Sequence, residues 1–150
     1  MNLDTLRPIL QGYREQVAPA WSPATAYNGE GKQGDPTGQC GVTSAWLQRR
    51  LTEDHGVETV YRIGSAWRLG DDEQLRDHCW LEIGEGWERV IIDLTAGQME
   101  GLPGDAVFCE TFQTLCSYEI SYVADRRLDA AELAADSVQP RLAVLEAALS

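Results

Sequence analysis

The chain has 150 residues, and its 24 Asp and Glu against 12 Lys and Arg give a formal net charge of −12 at pH 7. A nucleic-acid backbone is therefore repelled, and no nucleic-acid partner is expected. One domain, 1–150, has interior enough for a single core.

The opening stretch MNLDTLRPILQGYREQ is interrupted by charges every few residues. It has neither the apolar centre of a secretory leader nor a bilayer-length span, so a cytoplasmic protein without membrane association is expected. Leu3, Leu6, Ile9, Leu10, Tyr13 and Val17 recur at helical spacing and predict a packing helix over 3–17. From Pro19 to Gly38 the chain is rich in Gly, Pro, Asn, Asp and Thr and reads as a long loop bordering a functional groove. Gly41 to Leu51 then reads as a helix ending in Arg49 and Arg50, which suit the negative end of its dipole. Cys40 falls at the helix start.

VETVYRI, residues 57–63, alternates and predicts a strand, while AWRLGDDEQLRD reads as a loop or crossover. HCWLEI and WERVIIDLT follow as two strands around a Gly84–Gly86 hairpin signal. One or two further strands are expected in AVFCETFQTLCSYEISYV, with Cys109 and Cys116 as buried apolar side chains. The Ala- and Leu-rich C-terminus predicts two helical pieces broken at Pro140. Helices around mostly antiparallel strands make the fold class α+β.

With Glu85 and Gly86 as a two-residue turn, His78 lies directly opposite Asp93, and Glu82 opposite Arg89. Cys79, Leu81 and Ile83 then share the other, apolar face with Ile92 and Val90. A one-residue slip would turn Asp93 into that face, so the apolar pattern favours the register that joins His78 to Asp93.

A thiolate is a strong nucleophile, and a helix N-terminus and an adjacent imidazolium both favour it over the thiol. Cys40 has the first by position and gains the second if its helix packs against the strand carrying His78. Asp93 on one ring nitrogen would fix the tautomer and support the charged ring. The Cys40 N–H and the side-chain amide of Gln39 or Gln33 are the available oxyanion donors. The plainer readings are a small apolar cysteine, a packed histidine and a turn-forming aspartate. The four cysteines show no CxxC pair, so free thiols are expected and neither a metal nor a cofactor is.

HCWLEIGEGWERVIIDLTAGQ resembles the strand–turn–strand signature of transglutaminase-like and papain-like proteins, in which a nucleophilic Cys opens a helix, the His begins the next strand and the Asp ends the one after. WSPATA at 21–26, GQCGVTSAW at 38–46 and DLTAGQ at 93–98 together more closely resemble the YunG-like family of bacterial proteins. The resemblance implies a papain-like α+β fold with N-terminal helices packed on an antiparallel sheet and a C-terminal helix. It also implies Cys40, His78 and Asp93 as the site, with Gln39 beside them. A cysteine-dependent hydrolase or acyl transferase, acting on an amide or thioester of a small molecule or peptide, is the function expected. The alternatives are an idle domain of the same fold that binds a ligand in its groove, and an interaction protein working through its acidic surface.

Overall fold

In the computed structural model, which describes residues 1–150, the Asn2 side chain accepts the Thr5 N–H at 2.9 Å and so caps α1, Leu3–Val17. This helix buries Leu6, Leu10, Tyr13 and Val17 along one stripe, as an amphipathic helix must. Its Arg7 reaches the sheet margin, where Nε donates to the Cys109 carbonyl at 3.2 Å and Nη2 meets Glu110 at 2.8 Å. After the loop, α2 runs Cys40–His55 and ends on Gly56, which takes the left-handed conformation that closes a helix cheaply only for glycine.

Five strands follow: β1 Val60–Arg68, β2 Leu75–Ile83, β3 Val90–Asp93, β4 Phe108–Thr111 and β5 Ile120–Leu128. Every neighbouring pair is antiparallel, in the order β4-β3-β2-β1-β5. The first four strands form a meander. A short helix, α3 Phe112–Ser117, carries the chain from β4 to the opposite margin, where β5 pairs with β1. Helices α4, Ala130–Ala134, and α5, Val138–Leu149, complete the chain, so the fold is α+β.

The pleat sorts side chains to two cores. Cys79, Leu81 and Ile92 face α1, α2 and α5 in a main cluster of 22 buried residues. Trp80, Ile91 and Tyr122 face the other way, into a cluster of 7 closed by Met99 and Leu115. The sheet is thus covered on both sides, unevenly.

Several elements differ from expectation. The helix expected over Gly41–Leu51 extends to His55, since nothing before Gly56 disrupts it. The strand expected over 57–63 is Val60–Arg68, and AWRLGDDEQLRD is the hairpin joining β1 to β2 rather than a crossover. Cys109 is a buried strand residue, but Cys116 is half-buried on α3, a helix the apolar alternation concealed. The C-terminal break falls between Ala134 and Val138, not at Pro140. Pro140 sits in the first turn of α5, where its missing N–H would have had no partner anyway.

The expected hairpin register is also displaced. Glu82 pairs with Ile91 instead of Arg89, and Ile83 with Val90. The connection is not a two-residue turn but runs from Gly84 to Arg89 through a 3-10 turn at Gly86–Glu88. The displacement is two residues, so each side chain keeps its face. Glu82 and Arg89 still meet, diagonally, at 3.5 Å.

Two irregularities shape the sheet near His78. His78 pairs with Gly64 and Leu75 with Ala66, so β2 spends Arg76 and Asp77 where β1 spends only Ser65. Asp77 adopts φ 51°, and the bulge bends this end of β2. On the other side of β1, Asp125 is the extra residue of β5 between Ala124, paired with Gly64, and Arg126, paired with Ile63. Gly64 lies between the two bulges, and a Cβ there would stand 2.1 Å from the Val123 carbonyl oxygen.

Candidate active site

Cys40 is the first residue of α2, and the loop before it is pinned from inside. Trp21 Nε1 donates to Thr43 Oγ1 at 2.9 Å, and Tyr27 N–H to the Gly38 carbonyl at 2.9 Å. Gln39 has no exposed surface. Its Oε1 accepts from Thr25 Oγ1 at 2.7 Å and its Nε2 donates to the Ser22 carbonyl at 3.0 Å. Its amide therefore holds the loop, while its backbone starts the helix without supplying a side-chain cap. The first-turn N–H groups beside the Cys40 thiol are left to other acceptors.

His78 and Asp93 are each 2% exposed, and His78 Nε2 meets Asp93 Oδ2 at 2.7 Å. The carboxylate is saturated. Tyr122 OH donates to the same oxygen at 2.6 Å, and the Thr95 N–H and hydroxyl donate to Oδ1 at 2.9 and 3.1 Å. Burial alone raises Asp93, but His78, Tyr122 and Thr95 bring it below the usual carboxylate range. Tyr122 is pushed well above the usual phenol range by burial and Asp93, and so stays a donor. Burial alone would lower His78, yet Asp93 and then Cys40 raise it to about 10. With Nε2 committed to Asp93, Nδ1 is the nitrogen left for the Cys40 side. Trp80 stacks on the ring, centroids 6.1 Å apart.

Cys79, on the opposite face of β2, also reaches Cys40. Both thiols are free. Cys79, with burial, holds Cys40 well above the ordinary thiol range, while Cys40, against burial and with Tyr61, holds Cys79 below it. The surrounding charges oppose that division. His78 lowers Cys40, whereas Asp136 and Asp93 raise Cys79. A proton passed from Cys40 to Cys79 would leave the thiolate beside the imidazolium.

These groups open on a cavity of about 500 Å³. Five consecutive residues, Leu75–Cys79, line it, which a regular strand with its two-sided alternation would not allow. The loop before Cys40 contributes Tyr27 and Gly38, as the expected bordering role requires.

Gln98 also lines this cavity, and sequence reasoning passed over it. Its Oε1 accepts from the Gly38 N–H at 3.1 Å, and its Nε2 is buried without a partner. Gln33, by contrast, donates to the Pro19 carbonyl at 2.7 Å, outside the cavity. Of the three amides, Gln98 alone offers the site an uncommitted donor. The available signal was its place in DLTAGQ, on the turn directly after Asp93.

The structure therefore brings Cys40, His78 and Asp93 together and sets the Gln39 side chain aside. No three His, Cys, Asp or Glu residues are grouped to hold a metal ion, and no helix is long and apolar enough to cross a membrane. No family model, curated protein or solved structure matches this chain.

Proposed function

We propose that the chain is a cysteine-dependent hydrolase or acyl transferase acting on an amide or thioester, with a papain-like or transglutaminase-like arrangement of Cys40, His78 and Asp93. The observation that carries the reading is the buried 2.7 Å His78–Asp93 bond beside a cysteine, Cys40, at an uncapped helix start. A structural histidine has no need of an aspartate saturated by three further donors.

The Cys40 thiolate adds to the substrate carbonyl carbon, and the carbonyl electron pair moves to oxygen. The Cys40 N–H and Gln98 Nε2 are the donors for that oxyanion. As the tetrahedral adduct collapses, the leaving amine or thiol takes a proton from His78, and the acyl group remains as a thioester on Cys40. Water, or an acceptor amine or thiol, then attacks with His78 as base and restores the free thiol. Asp93 stays ionised throughout and supports the charged ring.

Iodoacetamide labelling with peptide mapping tests the reading. At pH 7 His78→Ala should slow the labelling of Cys40 by about tenfold or more, because the thiolate loses its imidazolium, with Cys116 unchanged. A Cys40 that ignores the His78 change would leave an idle ligand-binding domain as the better reading.

A further inference from the structure

Carboxylates outnumber cationic side chains two to one in this chain, so an arginine without a carboxylate partner is unexpected. Arg7, Arg49, Arg50, Arg62, Arg68 and Arg89 all have one within 4 Å. Arg14, Arg76, Arg126, Arg127 and Arg141 have none, and three of these five, Arg76, Arg126 and Arg141, line the Cys40 cavity. They come from three separate elements, β2, β5 and α5. The β2 bulge places Arg76 on the rim, and the β5 bulge adjoins Arg126.

Arg141 is the most constrained of the three. It is half-buried, and Nη1 donates only to the Ser137 carbonyl at 3.3 Å. Nε is buried with no partner, and the guanidinium carbon stands 5.6 Å from the Tyr27 ring centroid. Nη2 lies 3.6 Å from where a Cβ on Gly41 would be, beside the uncapped first turn of α2. Two acids share the cavity. Asp136 Oδ1 accepts the Val138 N–H at 3.0 Å at the start of α5, and Asp77 is exposed on the bulge. Neither comes within ion-pair distance of the three arginines.

We infer that the substrate of this site carries an oxyanion, a carboxylate or a phosphate, which Arg141 binds and Arg76 and Arg126 flank. This deepens the proposed function and rests on Cys40 being the reacting group. A guanidinium fork with an unused Nε suits an oxyanion with two equivalent oxygens better than a neutral amide. In a strongly acidic protein, three unpaired guanidiniums around one cavity also draw an anion that the rest of the surface repels.

The test is calorimetric titration of the protein with glutarate and, separately, inorganic pyrophosphate at low ionic strength. One of the two should bind, with affinity reduced about tenfold or more in Arg141→Gln. Glutarate points to a carboxylate substrate and pyrophosphate to a phosphate. Arg76 and Arg126 are exposed, so the double variant Arg76→Gln/Arg126→Gln keeps the fold and should also weaken binding, by a smaller factor. Binding of neither anion, or undiminished binding in both variants, overturns the inference. Iodoacetamide labelling of Cys40 in the same samples reports separately on the proposed function, so an inert Cys40 with anion binding, or a reactive one without it, shows which idea failed.

Discussion

His78 and Asp93 meet diagonally across β2 and β3. In the observed register Glu82 pairs with Ile91, so continuing the ladder sets Asp93 across from Trp80, and the 2.7 Å bond spans two residues along the strand. The diagonal leaves room for Tyr122 to reach the same carboxylate oxygen from β5.

Asp93→Asn should leave a folded protein, less stable by about 3 kcal/mol because a buried imidazolium loses its counter-charge. In the wild type the raised His78 pKa adds stability that is complete below the ordinary imidazole range and fades as pH rises through about 10. Asp93, held low, adds stability present above the ordinary carboxylate range and lost as the pH falls below it. NMR titration should show His78 falling from about 10 in the variant. A His78 still titrating near 10 would contradict the electrostatic account.

Tyr122→Phe removes one charge-assisted hydrogen bond and leaves ring packing intact. Urea unfolding should show a loss of about 1.5–3 kcal/mol with an unchanged m-value. No loss would mean that Thr95 and His78 suffice to satisfy Asp93.

Cys79→Ala should make Cys40 more reactive at neutral pH. Cys79 is the largest influence holding Cys40 above the thiol range, and without it only burial opposes the imidazolium. The iodoacetamide rate at pH 7 should rise several-fold over wild type. A fall would show that Cys79 instead helps to ionise Cys40.

Gly64→Ala should be among the most damaging single-atom additions in the sheet. The new methyl would meet the β5 backbone at 2.1 Å, and backbone between two bulges cannot step aside as a flexible side chain would. A loss of about 3 kcal/mol or more in thermal or urea unfolding is expected. Near-neutral behaviour would mean that β5 is loosely held on β1.

Gln98→Ala should separate oxyanion stabilisation from thiol reactivity. Acylation by p-nitrophenyl acetate should slow about 10²-fold, the cost of one oxyanion donor, while iodoacetamide alkylation, which forms no oxyanion, should hold within about twofold. Equal losses in both reactions would make Gln98 a support for the loop through Gly38 and nothing more.

Side-chain faces were legible in the sequence where strand registers were not. The alternation in HCWLEI and VIID has period two, so it places His78 and Asp93 on one face under any even displacement. It says nothing about how many residues the turn consumes, and the 3-10 turn at Gly86–Glu88 consumed more than the glycines suggested. The helix start at Cys40 was readable from the glycines and the proline-free run behind it. Gln39 was misjudged for another reason: adjacency in sequence does not say which way a side chain points, and here it points at Ser22 and Thr25. Gln98 and the three arginines come from four distant parts of the chain, and only folding brings them to one cavity.

The two bulges and the Arg7 contacts also bear on how the protein behaves when crowded. A sheet with open margins offers backbone groups to other chains, and such margins nucleate aggregation. Here β4 is only four residues long, and Arg7 Nε occupies the Cys109 carbonyl. At the other margin, the extra residue in β5 breaks the ladder where Asp125, Arg126 and Arg127 are exposed in succession. Neither edge is a flat, apolar template, so concentrated solutions should resist edge-to-edge growth, and replacing Arg127 with Val should erode that resistance before it affects the site.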